Sequence, residues 1–154
     1  MRELMVMFDL EATVIDSWNS GTPLPQKIDH MNRFINFFVE SDQDKHTEPK
    51  FGVFSFAVDY HNEKDKARLF AAYTGREIEM DDKWIPCWKD LEDLLSLRGD
   101  IAKWEVVNFY GKGLMFDLWT RQFPDVDFIL FDDVLPDKDS TTIRDSQMVR
   151  KIRV

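Results

Sequence analysis

The chain has 154 residues, a length that predicts a single domain with a hydrophobic core of its own. Aromatic residues make up 14% of the sequence, which excludes a disordered chain, because disorder is typical of sequences with few aromatic residues. The formal net charge of −9 argues against binding to nucleic acid or to an anionic membrane surface, since both need clustered Lys and Arg.

The cysteine content and the lengths of the apolar runs indicate in which cellular compartment the protein is expected. Cys87 is the only cysteine, which excludes an intramolecular disulfide and a zinc site built on several thiolates. The first residues reach Asp9 too soon to form the apolar region of a signal peptide. No apolar run approaches the roughly 18–20 residues of a membrane span. We therefore expect a soluble, cytoplasmic protein with no membrane partner.

Apolar periodicity predicts strands and helices in alternation. A continuous apolar run over 3–10 is typical of a strand that is buried on both faces, and Gly and Pro then mark a loop over 19–26. A helix with one buried face follows, because Ile28, Met31, Phe34, Ile35 and Phe38 recur at helical spacing. After a polar break at 41–50, the sequence predicts a strand at 51–58, helices at 62–73 and 88–97, a strand-like segment at 104–110, a helix at 112–123 with Leu114, Leu118 and Met115 inward, a strand at 126–131 and a last short strand at 151–154.

This alternation predicts an α/β fold of the Rossmann-like type. A mainly parallel sheet would be covered by helices on both faces, which gives a three-layer sandwich. The whole chain, 1–154, is predicted to form one domain. The segment 60–103 is either a set of connecting helices or a minimal inserted cap, and the sequence leaves both open.

Acidic residues follow two of the predicted strands. Asp9 and Glu11 end the first strand, and Asp132 and Asp133 end the strand at 126–131. Ligands of an open parallel sheet bind outside the carboxyl ends of its strands, so we expect these acids to line one crevice. Carboxylates so close together repel unless a divalent cation lies among them, and oxygen ligands suit Mg²⁺. The sequence therefore predicts Mg²⁺ as cofactor.

Two further residues would suit a phosphoryl group at the same place. Ser55 lies toward the end of the second predicted strand, and Lys112 begins the helix that leads into the third. A hydroxyl and an ammonium can both bind phosphoryl oxygens. Each residue alone is a weak signal, because Ser after a strand and Lys at a helix start are common.

The order of these residues resembles the four motifs of the haloacid dehalogenase (HAD) superfamily, over nearly the whole chain. Its first motif, an apolar strand followed by Asp-x-Asp-x-Thr, is similar to VMFDLEATVIDS at 6–17, with Glu11 in place of the second Asp. FGVFS at 51–55, Lys112 and FILFDDVLPD at 128–137 are similar to the second, third and fourth motifs.

The resemblance implies a HAD-like, Mg²⁺-dependent phosphatase. Asp9 would attack the phosphorus of a phosphorylated substrate and form an aspartyl-phosphate. The metal would be held by Asp9, by the backbone carbonyl of Glu11 and by Asp132, while Asp133 would hold a metal-bound water or orient Lys112. The substrate could be a small molecule or a macromolecule, and a chain with little room for a cap suits the open site that a macromolecule needs.

The remaining motif residues have implied roles as well. Ser55 and Lys112 would hold the transferring phosphoryl oxygens, Thr13 would fix the turn after the first strand, and the loop 17–25 would form a flap beside the site. The second acid acts as general acid and base, and Glu11 is one methylene longer than the Asp of the motif. A change of reach of roughly 1 Å can cost about 100-fold in rate. A HAD-like module with weakened catalysis that binds a protein partner is therefore the first alternative.

FDLEAT at 8–13 also resembles the first motif of the DEDD 3′–5′ exonucleases, in which acids hold two metal ions. That family follows its first strand with antiparallel strands, whereas a loop and an amphipathic helix are predicted here. It also has a later Asp preceded by His five residues before or Tyr four before. His61 and Asp65 are four residues apart and Tyr110 and Asp117 seven, so neither pair fits. The exonuclease is the second alternative.

The other chemically versatile side chains are interpreted as structural. His30, His46 and His61 lie in polar surroundings without ligand spacing, so we expect them at the surface. The acids of 79–84 are expected in a solvated loop. The tryptophans expected to pack in the core or under a cap are Trp84, Trp88, Trp104 and Trp119.

Overall fold

The computed structural model describes residues 1–42, 45–136 and 139–154 and contains five strands and five α-helices in those ranges. Short 3₁₀ turns lie at 61–63, 72–74 and 82–84. In chain order, the elements are β1 (Glu3–Phe8), α1 (Pro25–Ser41), β2 (Lys50–Val53), α2 (Lys64–Ala71), α3 (Trp88–Leu94), α4 (Lys103–Tyr110), α5 (Lys112–Thr120), β3 (Val126–Asp132), β4 (Asp139–Arg144) and β5 (Gln147–Arg153).

The five strands form one mainly parallel sheet in the order β2-β1-β3-β5-β4. β1 lies between β2 and β3 and is parallel to both, and β3 is parallel to β5. Among the strands of the described residues, only the edge strand β4 is antiparallel to its neighbour. The predicted α/β class with a mainly parallel sheet is confirmed.

The core consists of two clusters that share the strands. Leu4, Val6 and Phe8 of β1 belong to one cluster, whereas Met5 and Met7 belong to the other, because successive side chains of a strand point to opposite faces. Buried residues of α1 and α2 complete the first cluster, and those of α3, α4 and α5 complete the second. This arrangement explains why β1 is apolar at every position from 4 to 8.

The amphipathic helix predicted after the first loop is α1. Ile28, Met31 and Ile35 are buried, and Phe34 and Phe38 are partly buried against the first cluster. Among the helices of the described ranges, none combines the length and the apolarity that crossing a membrane would demand.

The prediction of a strand-like segment at 104–110 was wrong, since these residues belong to helix α4. Val106 is buried, and Val107 and Tyr110 pack partly against the second cluster, which is helical spacing. Trp104, expected in the core, is 67% exposed, and Phe109 is 83% exposed. Val106, Val107 and Tyr110 thus form one narrow helical contact, whereas the other residues that favoured a strand, Trp104 and Phe109, face solvent.

The carboxyl-terminal hairpin β4–β5 was only partly predicted, as a short strand at 151–154. Its turn uses Asp145 and Ser146, both with positive φ, which suits the two-residue turns of β-hairpins. The sequence lacks the Asn-Gly or Asp-Gly signal of such turns, and the side chains of β4 alternate only between exposed and half-buried. A polar edge strand has no apolar pattern from which it could be predicted.

Smaller differences concern single positions. β2 ends at Val53, earlier than the predicted strand at 51–58. In α5, Met115 faces the core as expected, but Leu114 is exposed, because Phe116 and Trp119 share the buried face with Met115. Four tryptophans were expected to pack in the core or under a cap. Apart from Trp104 they are buried as predicted, namely Trp84, Trp88 and Trp119.

Candidate active site

The carboxyl ends of β1 and β3 bring three predicted acids together. Asp9 follows β1, Asp132 ends β3, and the backbone N–H of Asp9 donates to the carbonyl of Phe131 at 2.9 Å. One carboxylate oxygen from each of Asp9, Asp132 and Asp133 lies within 4.8 Å of the other two. These three residues are called the acid cluster below.

Lys112 inserts its side chain into the acid cluster from the first position of α5. Its Nζ donates to Oδ1 of Asp9 at 2.7 Å and also contacts Oδ2 of Asp132. Burial alone would lower the pKa of Lys112, but the carboxylates of Asp9 and Asp132 outweigh this effect and raise it. Lys112 is therefore a buried ammonium ion that balances one of the negative charges.

The other charges of the acid cluster are not balanced in this way. Asp132 is fully buried, and burial raises its pKa to about 7, although Lys112 and the N–H of Val134 favour the ionised form. The pKa of Asp133 is also raised, first by burial and then by the adjacent carboxyl group of Asp9. Three acids with one lysine favour either proton uptake or a further cation.

The acid cluster fits a hard divalent cation. Oδ1 of Asp133 is buried and has no hydrogen-bond partner among the described residues, although buried polar atoms normally have one. All the offered ligand atoms are carboxylate oxygens, the donors that Mg²⁺ prefers. Asp9, Asp132 and Asp133 are therefore the residues that could hold the metal.

Thr13 lies beside Asp9 because the chain turns sharply after β1. The N–H groups of Thr13, Val14 and Ile15 all donate to the carbonyl of Leu10, and Ala12 has a positive φ of 60°. The turn directs Oγ1 of Thr13 at Oδ2 of Asp9, to which it donates at 3.2 Å. With Lys112 on Oδ1, both oxygens of Asp9 are therefore held in place.

Ser55 approaches the acid cluster from the neighbouring strand. Just beyond β2, Phe54 donates its N–H to the carbonyl of Phe8 at 2.9 Å, which keeps the segment beside β1. Ser55 itself is almost fully buried, and its Oγ accepts from the N–H of Ala57 at 3.3 Å. It lines the same cleft as Asp9 and Lys112, which has a volume of about 620 Å³.

Glu11 lines this cleft but lies outside the acid cluster. Its side chain is exposed, and its Oε2 accepts a hydrogen bond from the backbone N–H of Trp18 at 3.0 Å. Trp18 in turn packs edge-on against Phe70 at a ring distance of 5.3 Å. The structure therefore joins Glu11 to the loop 17–25 and not to Asp132.

Lys103 and Asp59 also line the cleft, and the sequence interpretation missed both. Nζ of Lys103 donates to the carbonyl of Phe56 at 2.6 Å and contacts Oδ1 of Asp59. Lys103 begins α4, a helix that was predicted as a strand, so no sequence signal placed its charge at this rim.

The surface prediction for His46 was wrong, whereas His30 and His61 are exposed as expected. The His46 side chain is only 8% exposed and lies between Asp42 and Asp127, with 2.7 Å from Nδ1 to one carboxylate and from Nε2 to the other. Asp127 is the second residue of β3 and Asp132 is the last, so the contact with His46 and the acid cluster lie at opposite ends of the same strand. The neighbours of His46 in sequence are polar and gave no sign of this burial.

Comparison of the chain with family models, with curated proteins and with solved structures found no match.

Proposed function

We propose that the chain is a Mg²⁺-dependent phosphohydrolase with a HAD-like three-layer sandwich fold, and that it acts through an aspartyl-phosphate on Asp9. The observation that carries this proposal is the acid cluster: a carboxylate held at both oxygens, beside two acids of raised pKa, one of which has an unpaired buried oxygen. Such a set serves a metal-assisted phosphoryl transfer better than it serves stability, because buried unpaired acids are costly.

Asp9, Asp132 and Asp133 would hold the Mg²⁺ ion. When bound, the ion supplies positive charge that neutralises the phosphoryl oxygens and so lets an anionic nucleophile approach an anionic substrate. This assignment is supported by the proximity of the three side chains, which each offer a carboxylate oxygen within 4.8 Å of the other two.

The nucleophilic step uses Asp9. A bond forms between an Asp9 carboxylate oxygen and phosphorus while the bond from phosphorus to the ester oxygen breaks. The leaving alcohol takes a proton from Glu11, which lines the cleft. Water then attacks the phosphorus of the acyl phosphate and gives its proton to Glu11, so that Asp9 and inorganic phosphate are released.

Cationic and hydroxyl groups would hold the phosphoryl oxygens. Lys112 and Ser55 have this role in the proposal, and Lys103, whose ammonium lies at the rim of the same cleft, would attract the anionic substrate. The cleft is open enough for a phosphorylated small molecule or for a phosphate group on a macromolecule. A cytoplasmic location is part of the same proposal.

Hydrolysis of p-nitrophenyl phosphate with and without Mg²⁺ tests the proposal. Asp9→Asn should lower the Mg²⁺-dependent rate by at least about 1,000-fold, because it removes the nucleophile. Asp125→Asn is the matched control: Asp125 is exposed and lies just before β3, at the opposite end of that strand from Asp132, so the rate of this variant should stay unchanged. An Asp9→Asn variant that keeps the parental rate would contradict the proposal.

A HAD-like binding module is the second candidate function, and the bond between Glu11 and Trp18 favours it. A general acid whose Oε2 is occupied by a backbone N–H is less free to transfer protons. No turnover of a broad panel of phosphate esters, even with Glu11→Asp, would support this candidate over the enzyme. The DEDD exonuclease is not favoured, because that family follows its first strand with antiparallel strands, whereas β1 lies between two strands that are parallel to it.

A further inference from the structure

A second group of metal-binding side chains lies at the amino end of α3. Cys87 directly precedes this helix, Asp90 lies in its first turn, and His61 comes from the 3₁₀ turn that precedes α2. One potential ligand atom from each of the three residues lies within 4.8 Å of the other two. His61 is 26 residues from Cys87 in sequence, and only the fold brings it to the other two residues.

We propose that Cys87, His61 and Asp90 bind one transition-metal ion of the Zn²⁺ class, at a site separate from the acid cluster.

The distances between the ligand atoms fit a tetrahedral ion. With a bond to sulfur of about 2.3 Å and bonds to nitrogen and oxygen of about 2.1 Å, tetrahedral geometry places sulfur and nitrogen about 3.6 Å apart and nitrogen and oxygen about 3.4 Å apart. Here Nε2 of His61 lies 3.9 Å from Sγ of Cys87 and 3.6 Å from Oδ1 of Asp90. Shifts of a few tenths of an ångström would complete the geometry.

Local contacts leave Oδ1 of Asp90 and Nε2 of His61 available to bind an ion. Oδ2 of Asp90 accepts from the backbone N–H of Cys87 at 2.9 Å and lies 3.6 Å from Nζ of Lys64, so this oxygen fixes the carboxylate. Oδ1, the other oxygen, faces His61. The His61 side chain is 63% exposed and can therefore turn toward the ion with little loss of packing.

A fourth coordination position is available from solvent. His61 and Asp90 line a cleft of about 500 Å³, whereas Cys87 lies fully buried behind them. Three protein ligands and one position open to solvent are the arrangement of zinc sites in which water or a substrate takes the fourth position.

The ligand chemistry selects a different ion from the acid cluster. Thiolate and imidazole are softer ligands than carboxylate, and they favour Zn²⁺ or Co²⁺ over Mg²⁺. A helix cap accounts for the contacts between Cys87 and Asp90, because Oδ2 of Asp90 accepts from the N–H of Cys87 and Sγ of Cys87 accepts from the N–H of Asp90, but this cap involves neither Oδ1 of Asp90 nor the His61 ring. The approach of His61 to both partners is what points to an ion.

Titration of the metal-free protein with Co²⁺ tests this proposal, because a cobalt–thiolate bond gives a charge-transfer absorption band that oxygen ligands do not give. Burial raises the pKa of Cys87, so the titration is done at about pH 8, where fewer protons compete with the ion. We expect the band to saturate at one Co²⁺ per chain and to persist in excess Mg²⁺. Absence of the band would overturn the proposal.

Three variants assign the ligands. Cys87→Ser should abolish the band, and His61→Ala should weaken Co²⁺ binding by at least about 10-fold, since even the loss of a partner behind a ligand costs about 10–100-fold. His30→Ala, which removes an exposed histidine of α1, is the matched control and should bind Co²⁺ like the parent. Because His61 is exposed, its variant should fold normally, and unchanged Co²⁺ affinity in that variant would contradict the site.

Discussion

At the scale of single residues, the carboxyl group of Asp132 determines how the acid cluster responds to pH. Its pKa is raised to about 7 because the side chain is fully buried. A metal ion must displace the proton to bind, so Mg²⁺ affinity should be about 10-fold weaker at about pH 6 than at about pH 8. Isothermal titration calorimetry at both pH values measures this ratio.

Asp132→Asn is the control for this pH dependence. Asn carries no proton that competes with the metal, so binding to the variant should be weak and should depend less on pH than binding to the parent protein does. If the parent protein binds Mg²⁺ equally well at both pH values, the protonation of Asp132 does not govern the site. Without a metal, the free energy of unfolding changes with pH in the opposite direction to the Mg²⁺ affinity. The pKa of Asp132 in the folded protein exceeds the ordinary value of 3.8. Its stabilising contribution is therefore fully present below pH 3.8 and is lost as the pH rises through about 7.

The sequence indicated the residues of the acid cluster because strand ends are visible in it. Asp9 and Asp132 follow continuous apolar runs, and the carboxyl ends of parallel neighbours meet at one edge. The orientation of Glu11 was not predictable, because the bond to Trp18 depends on how the loop 17–25 folds. Lys103 was missed for a related reason, since its position depends on the packing of α4.

At the scale of elements, Gly52 allows the segment around Trp84 to lie directly on β2. A Cβ at position 52 would lie 2.4 Å from the carbonyl oxygen of Trp84 and 2.7 Å from Sδ of Met7. Gly52→Ala should therefore lower the free energy of unfolding by about 1–3 kcal/mol, because a backbone carbonyl cannot move aside as a flexible side chain can. Urea unfolding measures the change.

Gly99→Ala is the matched control for this close approach. No atom of the residues that the structure describes lies within 4 Å of the Cβ that position 99 would gain, so the free energy of unfolding of this variant should differ from that of the parent by less than about 0.5 kcal/mol. Equal stability of the two variants would show that the segment around Trp84 does not pack on β2 as described.

The elements were predictable to the extent that apolar spacing defines them. The strands β1 and β3 and the helix α1 have strong patterns and were predicted close to their observed bounds. The strand β4 was not, because an edge strand with half-exposed side chains needs no apolar residues. The helix α4 was mistaken for a strand because its aromatic residues Trp104 and Phe109 were counted as buried, whereas both are exposed in the structure.

At the scale of the whole molecule, Asp127 connects distant parts of the chain at the amino edge of the sheet. It accepts hydrogen bonds from Nε of Arg2 and from the N–H of Met148, both at 2.9 Å, and lies 2.7 Å from Nε2 of His46. Asp127→Ala should lower the free energy of unfolding by about 1–3 kcal/mol, because it leaves the nearly buried His46 side chain and the N–H of Met148 without their hydrogen-bond partner. Thermal or urea unfolding measures the loss.

Asp125→Ala separates this network from a general effect of removing an acid. Asp125 is exposed just before β3, and its variant should be within about 0.5 kcal/mol of the parent. A loss of stability no larger for Asp127→Ala than for Asp125→Ala would contradict the role of the network. Since the network and the acid cluster lie at opposite edges of the sheet, folded Asp127→Ala protein should keep its affinity for Mg²⁺.

The central claim is that Asp9 is a nucleophile beside a metal held by the acid cluster. A crystal structure of the protein with Mg²⁺ and beryllium fluoride, a mimic of the phosphoryl group, tests it most directly. We predict beryllium bonded to a carboxylate oxygen of Asp9, with Mg²⁺ in contact with Asp9 and Asp132. Beryllium fluoride absent from Asp9 while Mg²⁺ is bound elsewhere, or no Mg²⁺ at the acid cluster at saturating concentration, would contradict the account.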